Sequence, residues 1–106
     1  MIQVMVKKKD ENITGFHIEG HSGYASRGSD IVCSAISTLA INCANSIEEF
    51  TGDEFSEGMD EERGMLEFDL TGEISEQSQL LLRSAVFGME KIAEQYGEKY
   101  VQIMNR

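Results

Sequence analysis

The sequence contains no proline, only two cysteines, and about half as many basic as acidic residues. With no proline, no low-complexity stretch and no linker, nothing divides the 106 residues, so a single domain over 1–106 with one core is expected. Two cysteines rule out a disulfide framework. Cys33 and Cys43, if carried on one helix, stand roughly 15 Å apart, too far for a bridge. Unpaired thiols suit a reducing compartment. No run approaches the roughly 20 consecutive apolar residues of a membrane helix. The basic cluster Lys7–Lys9 follows the first apolar run, the reverse of a signal peptide, so a cytoplasmic location without membrane contact is expected. Nine basic against 19 acidic residues give a charge of −10, which disfavours direct nucleic-acid binding. That charge either attracts a basic partner or only keeps a small protein soluble.

Apolar periodicity supplies the elements. Ile2, Val4 and Val6 alternate, and from Ile13 to Glu19 the residues Phe16 and Ile18 oppose His17 and Glu19, so the polar link Lys8 to Asn12 closes a hairpin. Gly20 to Ser29, GHSGYASRGS, has no apolar period and reads as a mobile loop outside the core. Val32, Ile36, Leu39, Cys43, Ile47 and Phe50 then recur at helical spacing from about Asp30 to Phe50, with Gly52 as the stop. Cys33, Ser37, Ala40 and Ala44 form a neighbouring stripe of small residues that would admit another backbone. A weak strand at Glu54 to Met59, an acidic turn Asp60 to Gly64 and a strand Met65 to Leu70 make a second hairpin. Ser75 caps a second helix that runs to Tyr96 and ends at Gly97, with Leu81, Ala85, Met89, Ile92 and Tyr96 inward. Tyr100 to Met104 is a last strand. The order ββαββαβ specifies an α+β fold, a largely antiparallel mixed sheet with two helices on one face.

The residues able to do chemistry lie close together. With Asp30 as N-cap, Cys33 falls in the first helical turn, where free amides and the macrodipole favour a thiolate. The Asp30 carboxylate opposes that effect and is expected to face the amides or His21, not the sulfur. Of the two histidines, His17 lies inside a strand, while His21 leaves a strand end twelve residues before Cys33, where it can serve as a base. Each feature also has an ordinary reading: a small buried Cys, a surface His, a plain loop. Their occurrence together within fourteen residues, with the loop between base and nucleophile, raises the catalytic reading to no more than equal standing with the ordinary one. A metal site is not expected, because the helix separates the two sulfurs and there is neither a CxxC nor a helical HxxxH. GYASRGSD lacks the Lys-Ser/Thr ending of a phosphate loop. No cofactor is implied.

Gly20-His21-Ser22-Gly23-Tyr24 followed by Gly28-Ser29-Asp30-Ile31-Val32-Cys33-Ser34-Ala35-Ile36-Ser37 resembles the signature of the ribosomal-processing cysteine protease family, Prp. The resemblance implies an endopeptidase that removes a short N-terminal extension from a basic large-subunit ribosomal protein, cutting after an aromatic residue, as ribosome assembly requires. By position it makes Cys33 the nucleophile and His21 its histidine, with Asp30 and Ser37 in a supporting or oxyanion region. It makes Gly20, Ser22, Gly23, Tyr24, Gly28 and Ser29 a loop that closes on substrate, and it implies a homodimer. Ser34 stands where the family commonly has Ala. Two other readings stay open: a non-enzymatic, dimeric ribosome-associated module with Cys33 in its core, and a thioesterase or acyl transferase using the same dyad.

Overall fold

The computed structural model describes residues 1–105, apart from the Arg27 side chain. Arg106, the last residue of the expected single unit, lies outside them. The elements are β1 (Ile2–Lys9), β2 (Asn12–Glu19), α1 (Ile31–Phe50), β3 (Phe55–Asp60), β4 (Met65–Leu70), α2 (Glu76–Tyr96) and β5 (Val101–Asn105), with one 3-10 turn at Arg27–Ser29. The strands form a sheet in the order β3-β4-β2-β1-β5, antiparallel throughout except where β5 lies parallel to β1. Order and fold class therefore match the expectation from sequence.

The register places apolar residues opposite one another: Val4 with Ile18, Val6 with Phe16, Phe16 with Phe68, and Ile2 with Val101. Strict alternation along β2 would put Ile13 and Phe16 on opposite faces. A bulge solves this. Lys7 pairs with Gly15 but Lys8 with Ile13, so Thr14 is the extra residue, and both Ile13 and Phe16 are buried. Gly15 is obligatory there, since a Cβ would lie 2.1 Å from the Phe68 carbonyl oxygen. Phe68 stacks between Phe16 and Phe55, with centroids at 5.7 and 5.3 Å.

Both helices cover this face. The Asp30 side chain accepts from the Val32 and Cys33 amides and starts α1 as expected. The helix stops at Thr51 and not through Gly52: the Thr51 backbone is extended, and its amide and hydroxyl both donate to the Ile47 carbonyl. The buried stripe is also rotated from the one expected. Ala40 and Ala44 are inside, Leu39 is half-buried, and Phe50 is 75% exposed. The close helix–helix approach lies at Gly88, where a Cβ would sit 2.9 Å from Leu39 Cδ1, and not on the small-residue stripe, which faces the β3–β4 hairpin. By length and composition α1, with a mean hydropathy of 1.3, could cross a membrane, which counting consecutive apolar residues does not register. Its apolar side is packed on the sheet. In α2 the fully buried leucine is Leu82, with Leu81 half-buried, while Ser75 and Gly97 cap the two ends as expected. Gln79 reaches back to bond both the amide and the carbonyl of Ile13.

The other sheet face is polar. His17 Nδ1 lies 2.5 Å from Glu67 and its Nε2 2.9 Å from Glu19, while Lys7 meets Asp69 at 2.9 Å and Arg63 meets Glu19 at 2.8 Å. The bond to Glu19, joined by that to Glu67, outweighs partial burial and raises the His17 pKa above 6.5. A raised imidazole stabilises the fold fully below its unfolded pKa and loses that contribution as pH rises through the folded value. Stability to denaturant should therefore fall as pH rises above about 6.5, by about 1 kcal/mol or less, the partners being over a third exposed. A His17→Gln variant should lack this decline. An unchanged slope in that variant would remove His17 as its source.

Candidate active site

The first two residues after β2 are shaped by close backbone contacts. Gly20 has φ +104°, and a Cβ on it would lie 2.4 Å from the Met1 carbonyl oxygen, so the strand can turn there only with glycine. The Gly20 amide donates to the Arg63 carbonyl at 3.0 Å, and His21 Nε2 lies 3.0 Å from the Glu62 carbonyl. The base of the loop is thereby tied to the turn between β3 and β4.

Ser22 follows and is 2% exposed, which corrects the expectation that no loop residue belongs to the interior. Its amide donates to Cys33 Sγ at 3.2 Å, its hydroxyl donates in a short bond to Asp30, and it accepts from the Tyr24 amide at 3.0 Å. Asp30 is also buried. Burial alone would push its carboxyl up, but donation from Ser22, Cys33 and Val32 outweighs this and holds the pKa below 3.8.

Asp30 faces the amides as expected, yet its carboxylate still acts on the neighbouring sulfur, which does not have the depressed pKa expected at a helix start. Burial first, then the neighbouring carboxylate, raise the Cys33 pKa above 9.0 against the pull of the Ser22 amide. The macrodipole is met at this helix end by Asp30's own negative charge. Cys33 thus rests as a thiol that needs a base. The first-turn amides of Val32 and Cys33 donate to Asp30 at 3.0 and 2.9 Å and are not free to hold an oxyanion.

Cys33 and His21 line one cleft of about 310 Å³, together with Gly20, Ser37, Ile41 and Met59. Ser37 sits one helical turn beyond Cys33 on the same side. A second groove of about 290 Å³ continues from this cleft through the shared Ile41, Met59 and Leu66. Within the cleft, sulfur and imidazole have different hydrogen-bond partners, the Ser22 amide and the Glu62 carbonyl. The remaining loop residues are placed elsewhere. Tyr24 packs edge-on against Tyr96 and Tyr100, with centroids at 5.5 and 5.4 Å, and Gly23, Gly28 and Ser29 are exposed. Cys43 is buried and free, its thiol directed at the Leu81 carbonyl at 3.6 Å. Sequence reasoning did not reveal the part played by the β3–β4 turn. Its only signal there is a run of polar residues around Gly64.

A family model described as cysteine protease Prp matches residues 1–102. The chain belongs to the cysteine protease Prp family. The ribosomal processing cysteine protease Prp of Bacillus subtilis (strain 168) is 27% identical over 101 residues, covering 91% of this chain and 90% of that protein. Among solved structures, the essential ribosomal processing protease Prp from S. aureus superposes with a TM-score of 0.93 in complex with a covalently linked product peptide. With a substrate peptide the value is 0.88. Both alignments cover all of each chain, at 22 and 21% identity, and attest the Prp fold. A Streptococcus mutans protein is 30% identical with a TM-score of 0.81, over all of this chain and 96% of that one.

Proposed function

We propose that this Prp family member is a cytoplasmic cysteine endopeptidase that removes a short N-terminal extension from a large-subunit ribosomal protein, cutting after an aromatic residue. The observation that carries this reading is the common cleft of Cys33 and His21, with the Ser22 amide directed at the sulfur. His21 takes the thiol proton, and Cys33 attacks the scissile carbonyl to form an acyl-enzyme that water hydrolyses. The Ser22 amide at the sulfur and the Ser37 hydroxyl in the same cleft serve as donors to the developing oxyanion. Asp30 holds the first turn and Ser22 in place behind the sulfur. The apolar groove leading from the cleft accommodates an aromatic side chain, and the loop from Gly23 to Ser29 closes over bound peptide.

The charge of −10 suits a basic ribosomal substrate. Exposed Leu80 and Phe87, two turns apart on α2, support association of two copies. Purified protein should cut a peptide spanning the extension at one bond. Depletion in cells should leave one large-subunit protein with a longer N-terminus, read by intact-mass spectrometry. Turnover of simple thioesters with indifference to peptide sequence would favour acyl transfer instead, and no turnover of either would favour an interaction module.

A further inference from the structure

We propose that the backbone carbonyl of Glu62 is the third member of the catalytic unit: it accepts a hydrogen bond from His21 Nε2–H, fixes that tautomer, and leaves Nδ1 as the base for Cys33. This rests on the Cys33–His21 reading above. A carbonyl oxygen has lone pairs and no hydrogen, so the 3.0 Å contact is a hydrogen bond only when Nε2 carries the proton. In a neutral imidazole the other ring nitrogen is then the acceptor.

The turn between β3 and β4 is built to present this carbonyl. The Asp60 side chain accepts from the Glu62 and Arg63 amides at 3.1 and 3.3 Å, and the Gly64 amide closes on the Glu61 carbonyl at 3.2 Å. Two contacts hold the turn against the strand end that bears His21: Gly20 N–H to the Arg63 carbonyl at 3.0 Å and Arg63 Nη2 to Glu19 at 2.8 Å. Gly64 has φ +62°, and a Cβ there would lie 2.4 Å from the Gly20 carbonyl oxygen and 3.0 Å from His21 Cε1. Only glycine lets the turn pass this close.

The bond persists through the reaction. The Cys33 S–H proton moves to Nδ1 as the sulfur pair forms the C–S bond and the carbonyl π pair moves to oxygen. The imidazolium now carries hydrogen on both nitrogens, and its positive charge strengthens the bond to Glu62. Collapse breaks the C–N bond, with the Nδ1 proton passing to the departing amine. In the second half an attacking water gives its proton to Nδ1, which returns it to the sulfur as the thioester breaks. A carbonyl thus fills the place that a side-chain amide or carboxylate holds in other triads.

The test uses the free protein labelled with 15N-histidine, with His21→Ala assigning the His21 signals in long-range 1H–15N correlation spectra. The Nε2–H pattern is expected for His21 in its neutral form. An Nδ1–H pattern, with His21→Ala inactive, would overturn this proposal alone, whereas cleavage by His21→Ala would defeat the dyad itself. Gly64→Ala should lower kcat by roughly 10- to 100-fold, leave KM within about twofold, and give mixed His21 tautomers. Full kcat with a single tautomer would count against the proposal. Should that variant fail to fold, Asp60→Ala should lower kcat roughly tenfold and Asp60→Asn, which keeps an acceptor for the turn amides, should restore it. Equal rates in those two variants would count against the turn as a positioning element.

Discussion

Cys33→Ala should leave the fold intact and abolish cleavage of an extension peptide, a fall on the order of 1000-fold or more in kcat. The substitution removes one half-buried sulfur whose partner, the Ser22 amide, belongs to a residue that its bond to Asp30 still holds in place. His21→Ala should cost roughly 100- to 10,000-fold, the range for a lost general base. His17→Ala should cost little, since that ring is bonded to Glu19 and Glu67 on the opposite sheet face. Iodoacetamide should label Cys33 well before Cys43, whose thiol is buried and pushed up to about 11. Because Cys33 is itself held above 9.0, its labelling should accelerate as pH rises. Cleavage that survives Cys33→Ala would end the assignment of the nucleophile.

Asp30→Ala should be the most destabilising change near the site. It removes the helix cap, worth about 0.5–2 kcal/mol, and orphans the buried Ser22 hydroxyl, a further cost of about 1–3 kcal/mol. A loss of roughly 2–4 kcal/mol by denaturant titration is expected, with Asp30→Asn recovering most of the cap. Since the Asp30 pKa is lowered below 3.8, its contribution is present above that pH and lost as pH falls through the lower folded value. The acid-side stability difference between parent and Asp30→Ala should therefore shrink below about pH 4. Cleavage should fall as well, roughly 10- to 100-fold, because Ser22 and the sulfur lose their common anchor. A variant as stable as the parent at neutral pH would contradict this account of the helix start.

Much of the fold was legible because its determinants are local. Alternation in Ile2–Val6 and Met65–Leu70, and the caps Asp30, Ser75 and Gly97, act through neighbours in the chain, and the structure keeps them. The α1 stripe was rotated because apolar period alone cannot tell whether Leu39 or Ala40 meets the sheet. The bulge at Thr14 was hidden because burial of both Ile13 and Phe16 depends on pairing with β1. The motif around His21 and Cys33 marked the site, but the pKa direction of Cys33 depends on how deeply it is buried and where the Asp30 carboxylate points.

From sequence alone came the element order, the helix starts, the family signature and the candidates Cys33 and His21. These follow from short-range backbone preferences and residue identity. Only tertiary structure decided the strand order, the shared cleft, the occupation of the first-turn amides by Asp30, and the contact between His21 and Glu62, 41 residues apart. Such contacts join segments distant in the chain, where the meeting of two backbones, and not the character of either segment, sets the geometry.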